Sequence, residues 1–153
     1  MGCLTLAVTS SFFGGGRDRI RIVPLAQLKG HEMPDEGRVS ELEEDMRSRG
    51  ELLRPIVVDR ETGVVLDGHC RCDALRRLGC SKVAVRFVDY SSDGIQVEGW
   101  NGRKVTKSEV VEAGLRGDLM MPKSSRHTVV RSGRKLHISE ACGDVCVRLS
   151  ELV

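Results

Sequence analysis

At 153 residues, with 40% apolar side chains, the chain is long enough for one compact domain and too short for two independent ones. Charged residues reach 30% but nearly cancel, 24 basic against 22 acidic for a net charge of +2, and aromatics are only 3%. That balance argues against a nucleic-acid partner, which calls for a clustered basic surplus and for rings on which bases stack. No run approaches the roughly twenty apolar residues of a membrane helix.

Residues 1–16 hold a short apolar patch and Gly14-Gly15-Gly16, without the basic leader and cleavage pattern of a secretory signal. Leu6 stands where a myristoylation signal needs Ser or Thr. The expectation is a flexible segment over 1–16, one compact domain over 17–153 and a cytoplasmic location. Cys70, Cys72, Cys80, Cys142 and Cys146 lack the paired short spacings of a zinc site. A Cys142–Cys146 bridge is open to the chain, and small buried hydrophobes are the preferred reading.

From Arg19 to Pro24 charged and apolar residues alternate, as in a half-buried strand. Residues 25–34 read as a loop carrying His31 and Glu32. Asp35 or Glu36 then opens a helix with Val39, Leu42 and Met46 on one face, stopped at Gly50. Pro55 to Asp59 reads as a buried strand, Arg60 to Gly63 as a turn and Val64 to Leu66 as the return strand of a hairpin. A helix follows Asp67-Gly68 at once, with Cys72, Leu75 and Leu78 on its apolar edge and Gly79 at its end. Val83 to Tyr90 and Ile95 to Glu98 are further strands. Thr106-x-x-Glu109 is a capping box opening a helix through Leu115. Pro122 to His127 reads as a polar loop, and short strands are expected at 128–130, 135–138 and 145–149. The fold class is therefore mixed α/β (α+β), a short mixed sheet with helices.

Three features carry chemistry. Asp67-Gly68-His69-Cys70-Arg71 leads from a strand into a helix N-terminus, where free backbone N–H groups and the helix dipole favour an anion. Gly68 lets a phosphate approach and Arg71 offers a fork of donors; alternatively Asp67 merely caps the helix. Glu32 could accept the proton of an attacking alcohol, hold a metal, or simply be solvated. Pro122-Lys123-Ser124-Ser125-Arg126-His127 packs hydroxyls, cations and an imidazole into six residues, suiting a phosphate or carboxylate or forming an ordinary polar turn. Trp100 is either a core plug or the wall of a small-molecule pocket.

The runs Lys29-Gly30-His31-Glu32, Pro55 to Asp59, Gly63 to His69 and Val88-Asp89-Tyr90 resemble the ParB/sulfiredoxin fold. Within that superfamily the chain is most similar to the free-serine kinases. These carry a Glu after the first strand, then Asp-Gly-His-His-Arg, a Trp and Pro-Lys-Thr-Thr-Arg-His. Glu32, Asp67 to Arg71, Trp100 and Pro122 to His127 match in order, over most of residues 19–130. Cys70 replaces the second His of the motif, and Ser124-Ser125 replaces the Thr pair.

The resemblance implies a kinase that passes a phosphoryl group from ADP or ATP to L-serine, forming O-phospho-L-serine for cysteine biosynthesis, with Mg²⁺ bridging the phosphates. It assigns Glu32 as the base and Asp67 as its catalytic or metal partner. Gly68, His69, Cys70 and Arg71 fall to the nucleotide phosphates; Trp100, Ser125, Arg126 and His127 fall to serine or its phosphate. The alternatives are a non-catalytic nucleotide-binding regulator or DNA-partition protein, and a sulfiredoxin-like reductase. Against the last, Cys70 follows His69, whereas the sulfiredoxin pattern Gly-Cys-His-Arg has Cys before His.

Overall fold

The structure, a computed structural model, describes residues 20–153, so the segment expected over 1–16 lies outside the described residues. Its central sheet has the order β1-β5-β3-β4. β3 (Ile56–Asp59) runs parallel to β5 (Lys82–Val88), β1 (Arg21–Pro24) lines the far edge of β5 antiparallel, and β4 (Val65–Asp67) returns antiparallel beside β3. Every residue of β3 is buried, as a strand covered on both faces requires.

Side-chain alternation divides the interior in two. Ile56 and Val58 join a core with Val39 and Met46 of α1 (Glu36–Arg49) and Cys72, Ala74 and Leu75 of α2 (His69–Arg77). Val57 instead enters a second core with Leu66, Val88, Ile95, Val110 and Val129. The expected helix signals hold. The Asp35 side chain accepts from the Arg38 backbone N–H, and α1 ends at Gly50 in the left-handed region. Both bonds of the Thr106/Glu109 box are made at the start of α3 (Lys107–Arg116). Gly114 inside α3 is a close approach: a Cβ there would lie 2.7 Å from Val64.

A second sheet, β6 (Ile95–Glu98), β7 (Arg126–Arg131) and β8 (Arg134–His137), is antiparallel throughout. The end of the chain departs from expectation. The polar loop stops at Ser125, because Arg126 and His127 already pair with Glu98 and Val97 in the ladder. The strand expected over 135–138 forms as β8 but stops at His137, because Ile138 already opens α4 (Ile138–Cys142), where the His137 ring accepts from the Ser139 backbone N–H. Five residues are too few to display a helical period in sequence. Of the strand expected over 145–149 only β9 (Val147–Arg148) forms, beside β2 (Glu51–Leu52). Cys142 lies buried as a thiol in the second core, so the bridge to Cys146 does not form. No helix among the described residues is long and apolar enough to cross a membrane.

Candidate active site

The segment after β1 is not the solvated loop its polarity suggests. Lys29 donates to the Gly63 carbonyl and accepts from Val65, while on the other side Met33 donates to the Met120 carbonyl and Met120 donates to the His31 carbonyl. The strap is thereby stitched between β4 and the segment before β7. Its buried backbone is satisfied, which is the condition for burial at all. His31 is 0% exposed, and Glu32 looks from the strap into a cleft of about 570 Å³. Asp67, Gly68, His69, Cys70, Arg71 and Ser125 line the same cleft. The carboxylate before the first long helix and the start of the second therefore share one cavity.

Glu32 is held from the opposite side. Its Oε1 accepts from the Ser124 backbone N–H at 3.2 Å and its Oε2 contacts the Ser125 hydroxyl at 2.8 Å. Burial pushes the Glu32 carboxyl up from its ordinary value; the Ser125 hydroxyl and nearby backbone N–H groups hold it partly back. The Ser125 Oγ also lies 2.8 Å from His31 Nε2, and His31 Nδ1 meets the Val65 carbonyl at 2.6 Å. A carbonyl only accepts, so Nδ1 carries the proton. Burial lowers the basicity of His31 and the Val65 carbonyl partly restores it.

At the other wall, β4 passes through Gly68 into α2. Gly68 has φ +109°, and a Cβ there would fall 2.6 Å from the Ile56 side chain and 3.2 Å from Arg71 Nη2. Only glycine fits. The helix has no side-chain cap. Asp67 does not cap it: it accepts instead from Arg71 Nη2 at 2.6 Å, one turn on. That leaves Arg71 Nη1 buried with no partner among the described residues, a donor whose burial costs about 1–3 kcal/mol until an acceptor arrives. His69 Nε2 accepts from the His31 backbone N–H at 3.1 Å, so its donor is Nδ1. Burial first, then His31 and His127, push its pKa well down and keep it neutral.

Trp100, Arg126 and His127 are not brought to this cleft. Along β7 alternate residues face opposite ways. The Arg126 guanidinium sits 5.5 Å from the Trp100 ring centre, a cation–π pair on an exposed face, and neither residue lines the cleft. His127 turns inward, bonds the Tyr90 hydroxyl at 2.8 Å, and is pushed down to about 3, chiefly by burial. It supplies no positive charge near neutral pH. The Cys70 thiol lies in the cleft wall 3.9 Å from the Asp35 carbonyl, and burial raises its pKa. Sequence reading passed over His31 and Tyr90 as site residues; the one available signal was the His31-Glu32 pair itself. Among the described residues no three His, Cys, Asp or Glu side chains form a metal cage.

No family model matches the chain. It is 37% identical over 75 residues to a ParB-like protein of Sulfolobus acidocaldarius, covering 49% of this chain and 37% of that protein. It is 32% identical over 83 residues to an ATP-dependent L-serine kinase of Staphylothermus marinus, covering 52% of this chain and 33% of the relative. The matched region spans about a third of the length of these relatives. In three dimensions it superposes on a free serine kinase in complex with AMP with a TM-score of 0.74 at 17% identity, covering 88% of this chain and 93% of the other. A conserved hypothetical protein from Pyrococcus furiosus gives 0.73 at 15% identity, over 88% and 97%. About half of the chain is similar in sequence to a ParB-like protein, and the chain has the mixed α/β fold of the two structures it superposes on. Within it, the chain resembles free serine kinases in both local sequence and overall architecture.

Proposed function

We propose that the chain is a free L-serine kinase, moving a phosphoryl group from an adenine nucleotide to the serine hydroxyl to give O-phospho-L-serine. The observation that carries this reading is the shared cleft: a partly desolvated carboxylate, Glu32, opposite a helix N-terminus with an unsatisfied arginine donor. Phosphoryl transfer asks little covalent chemistry of a protein; it needs reactants placed in line and charge neutralised.

The first N–H groups of α2, with Gly68 admitting close approach, take the donor phosphates, and Arg71 and the neutral His69 add donors. Cys70 contributes through its backbone N–H, so the loss of the family's second His removes a side-chain contact and leaves the cradle. Glu32 accepts the proton of the serine hydroxyl; a carboxyl raised above its ordinary value is the better base near neutral pH. Serine lies on the Ser125 side of the cleft rather than against Trp100 and Arg126. Mg²⁺ fits this donor set, since it binds phosphates and water together with one or two carboxylates, and Asp67 lines the phosphate end. When bound, it would neutralise phosphate charge.

The relative named an ATP-dependent L-serine kinase and the free serine kinase complex with AMP support an adenine nucleotide as donor. Incubation with L-serine, Mg²⁺ and either ATP or ADP, followed by mass spectrometry, tests the reading. O-phosphoserine is expected with at least one nucleotide. Glu32→Gln should cut turnover at least about a hundredfold with nucleotide affinity nearly unchanged. Product from neither nucleotide, or full activity in that variant, overturns it.

A further inference from the structure

The bonds around Ser125 can be counted proton by proton. The Val65 carbonyl fixes the His31 proton on Nδ1, so neutral His31 offers only a lone pair at Nε2. Ionised Glu32 likewise only accepts. Ser125 Oγ stands between them, 2.8 Å from His31 Nε2 and 2.8 Å from Glu32 Oε2, with a single proton for two acceptors. In this state the chain Glu32–Ser125–His31 is one proton short. Adding a proton at either end completes it. Protonated Glu32 donates to Ser125, which donates to His31; alternatively, protonated His31 donates to Ser125, which donates to ionised Glu32.

We infer that Ser125 and His31 form a proton relay behind Glu32, so that the proton leaving the acceptor hydroxyl is shared along three residues. This rests on the kinase reading. The step balances without redox change: the serine oxygen bonds the terminal phosphorus, the phosphorus–oxygen bond to the nucleotide breaks, and the serine proton passes to Glu32. From there a paired shift, Glu32 to Ser125 Oγ and Ser125 to His31 Nε2, restores the carboxylate. The base gains a hydrogen bond as it takes the proton, where an isolated buried carboxylate would only lose its charge. The groups facing the relay are His69 and His127, whose rings contact His31 at 4.6 and 5.9 Å between centroids, and the backbone N–H groups of 123–125 at Glu32. Both neighbouring imidazoles are held neutral, so no fixed cation competes for the shared proton.

Two measurements separate this inference from the kinase reading itself. The first is ¹⁵N NMR of the histidine rings in the resting protein. His31 is expected as the Nδ1–H tautomer, with its Nε2 signal shifting as Glu32 titrates in the native chain and several-fold less in Ser125→Ala, where only the direct 3.7 Å approach of Nε2 to Glu32 Oε2 remains. The second is turnover: kcat of Ser125→Ala should fall roughly a hundredfold, more than KM changes, while Ser125→Thr stays within about threefold. The proton inventory in mixed H₂O and D₂O should curve for the native enzyme, as two protons moving together require. An Nε2–H tautomer, an Nε2 signal blind to Glu32, or native kcat in Ser125→Ala overturns the relay. NMR coupling without O-phosphoserine would sink the kinase reading alone; product without coupling would sink the relay alone.

Discussion

The His31 backbone N–H donates to His69 Nε2 at 3.1 Å, tying the strap that bears Glu32 to the first residue of α2. The two halves of the site, 38 residues apart in sequence, are thus set against each other by one bond. His69→Ala removes that acceptor and orphans a buried N–H. The expected outcome is a fall in kcat of about ten- to a hundredfold from misplacement of Glu32, read by steady-state kinetics. An unchanged kcat would mean that the strap is held by its bonds to Val65 and Met120 alone.

Gly68→Ala places a methyl group against Ile56 and Arg71 in a backbone region that L-residues avoid. Stability should drop by about 1–3 kcal/mol in denaturant titration. Nucleotide affinity, followed by calorimetry, should weaken as the turn shifts. A variant that binds nucleotide as tightly as the parent would show that the phosphates sit elsewhere.

Three imidazoles, the buried His31 and His127 and the partly buried His69, have lowered pKa values, that of His127 to about 3. A histidine depressed in the fold contributes stability that is whole above its unfolded value of about 6.5 and lost as pH falls through its folded value. Glu32, raised in the fold, acts in the opposite sense, but it is one group against three. Unfolding midpoints should therefore decline steadily from about pH 6.5 towards pH 3. A flat profile over that range would contradict the burial of these rings.

Burial raises the pKa of the Cys70 thiol, which leaves little thiolate near neutral pH. Cys70→Ser should keep phosphotransfer within about threefold, and alkylation of Cys70 in the native chain should be slow compared with a free thiol. Loss of all turnover in Cys70→Ser, together with activity of the native chain on a sulfinic acid, would favour the reductase alternative.

The sequence alone determined the elements whose signals are local. Asp35 and Gly50 bracket α1, Thr106 and Glu109 open α3, and the apolar run at β3 announces a strand buried on both faces; each needs only neighbouring residues to satisfy neighbouring backbone groups. It also marked Glu32 and the turn at Gly68 as chemistry-bearing positions. Only the tertiary structure decided what these residues touch. Asp67 became the partner of Arg71 rather than a cap, and β7 sent Arg126 and His127 to opposite faces. Ser125 was carried across 94 residues of sequence to stand between His31 and Glu32. Local hydrogen bonds and periodicity are written in adjacent residues, whereas a shared proton depends on how separate segments pack, which no short stretch of chain contains.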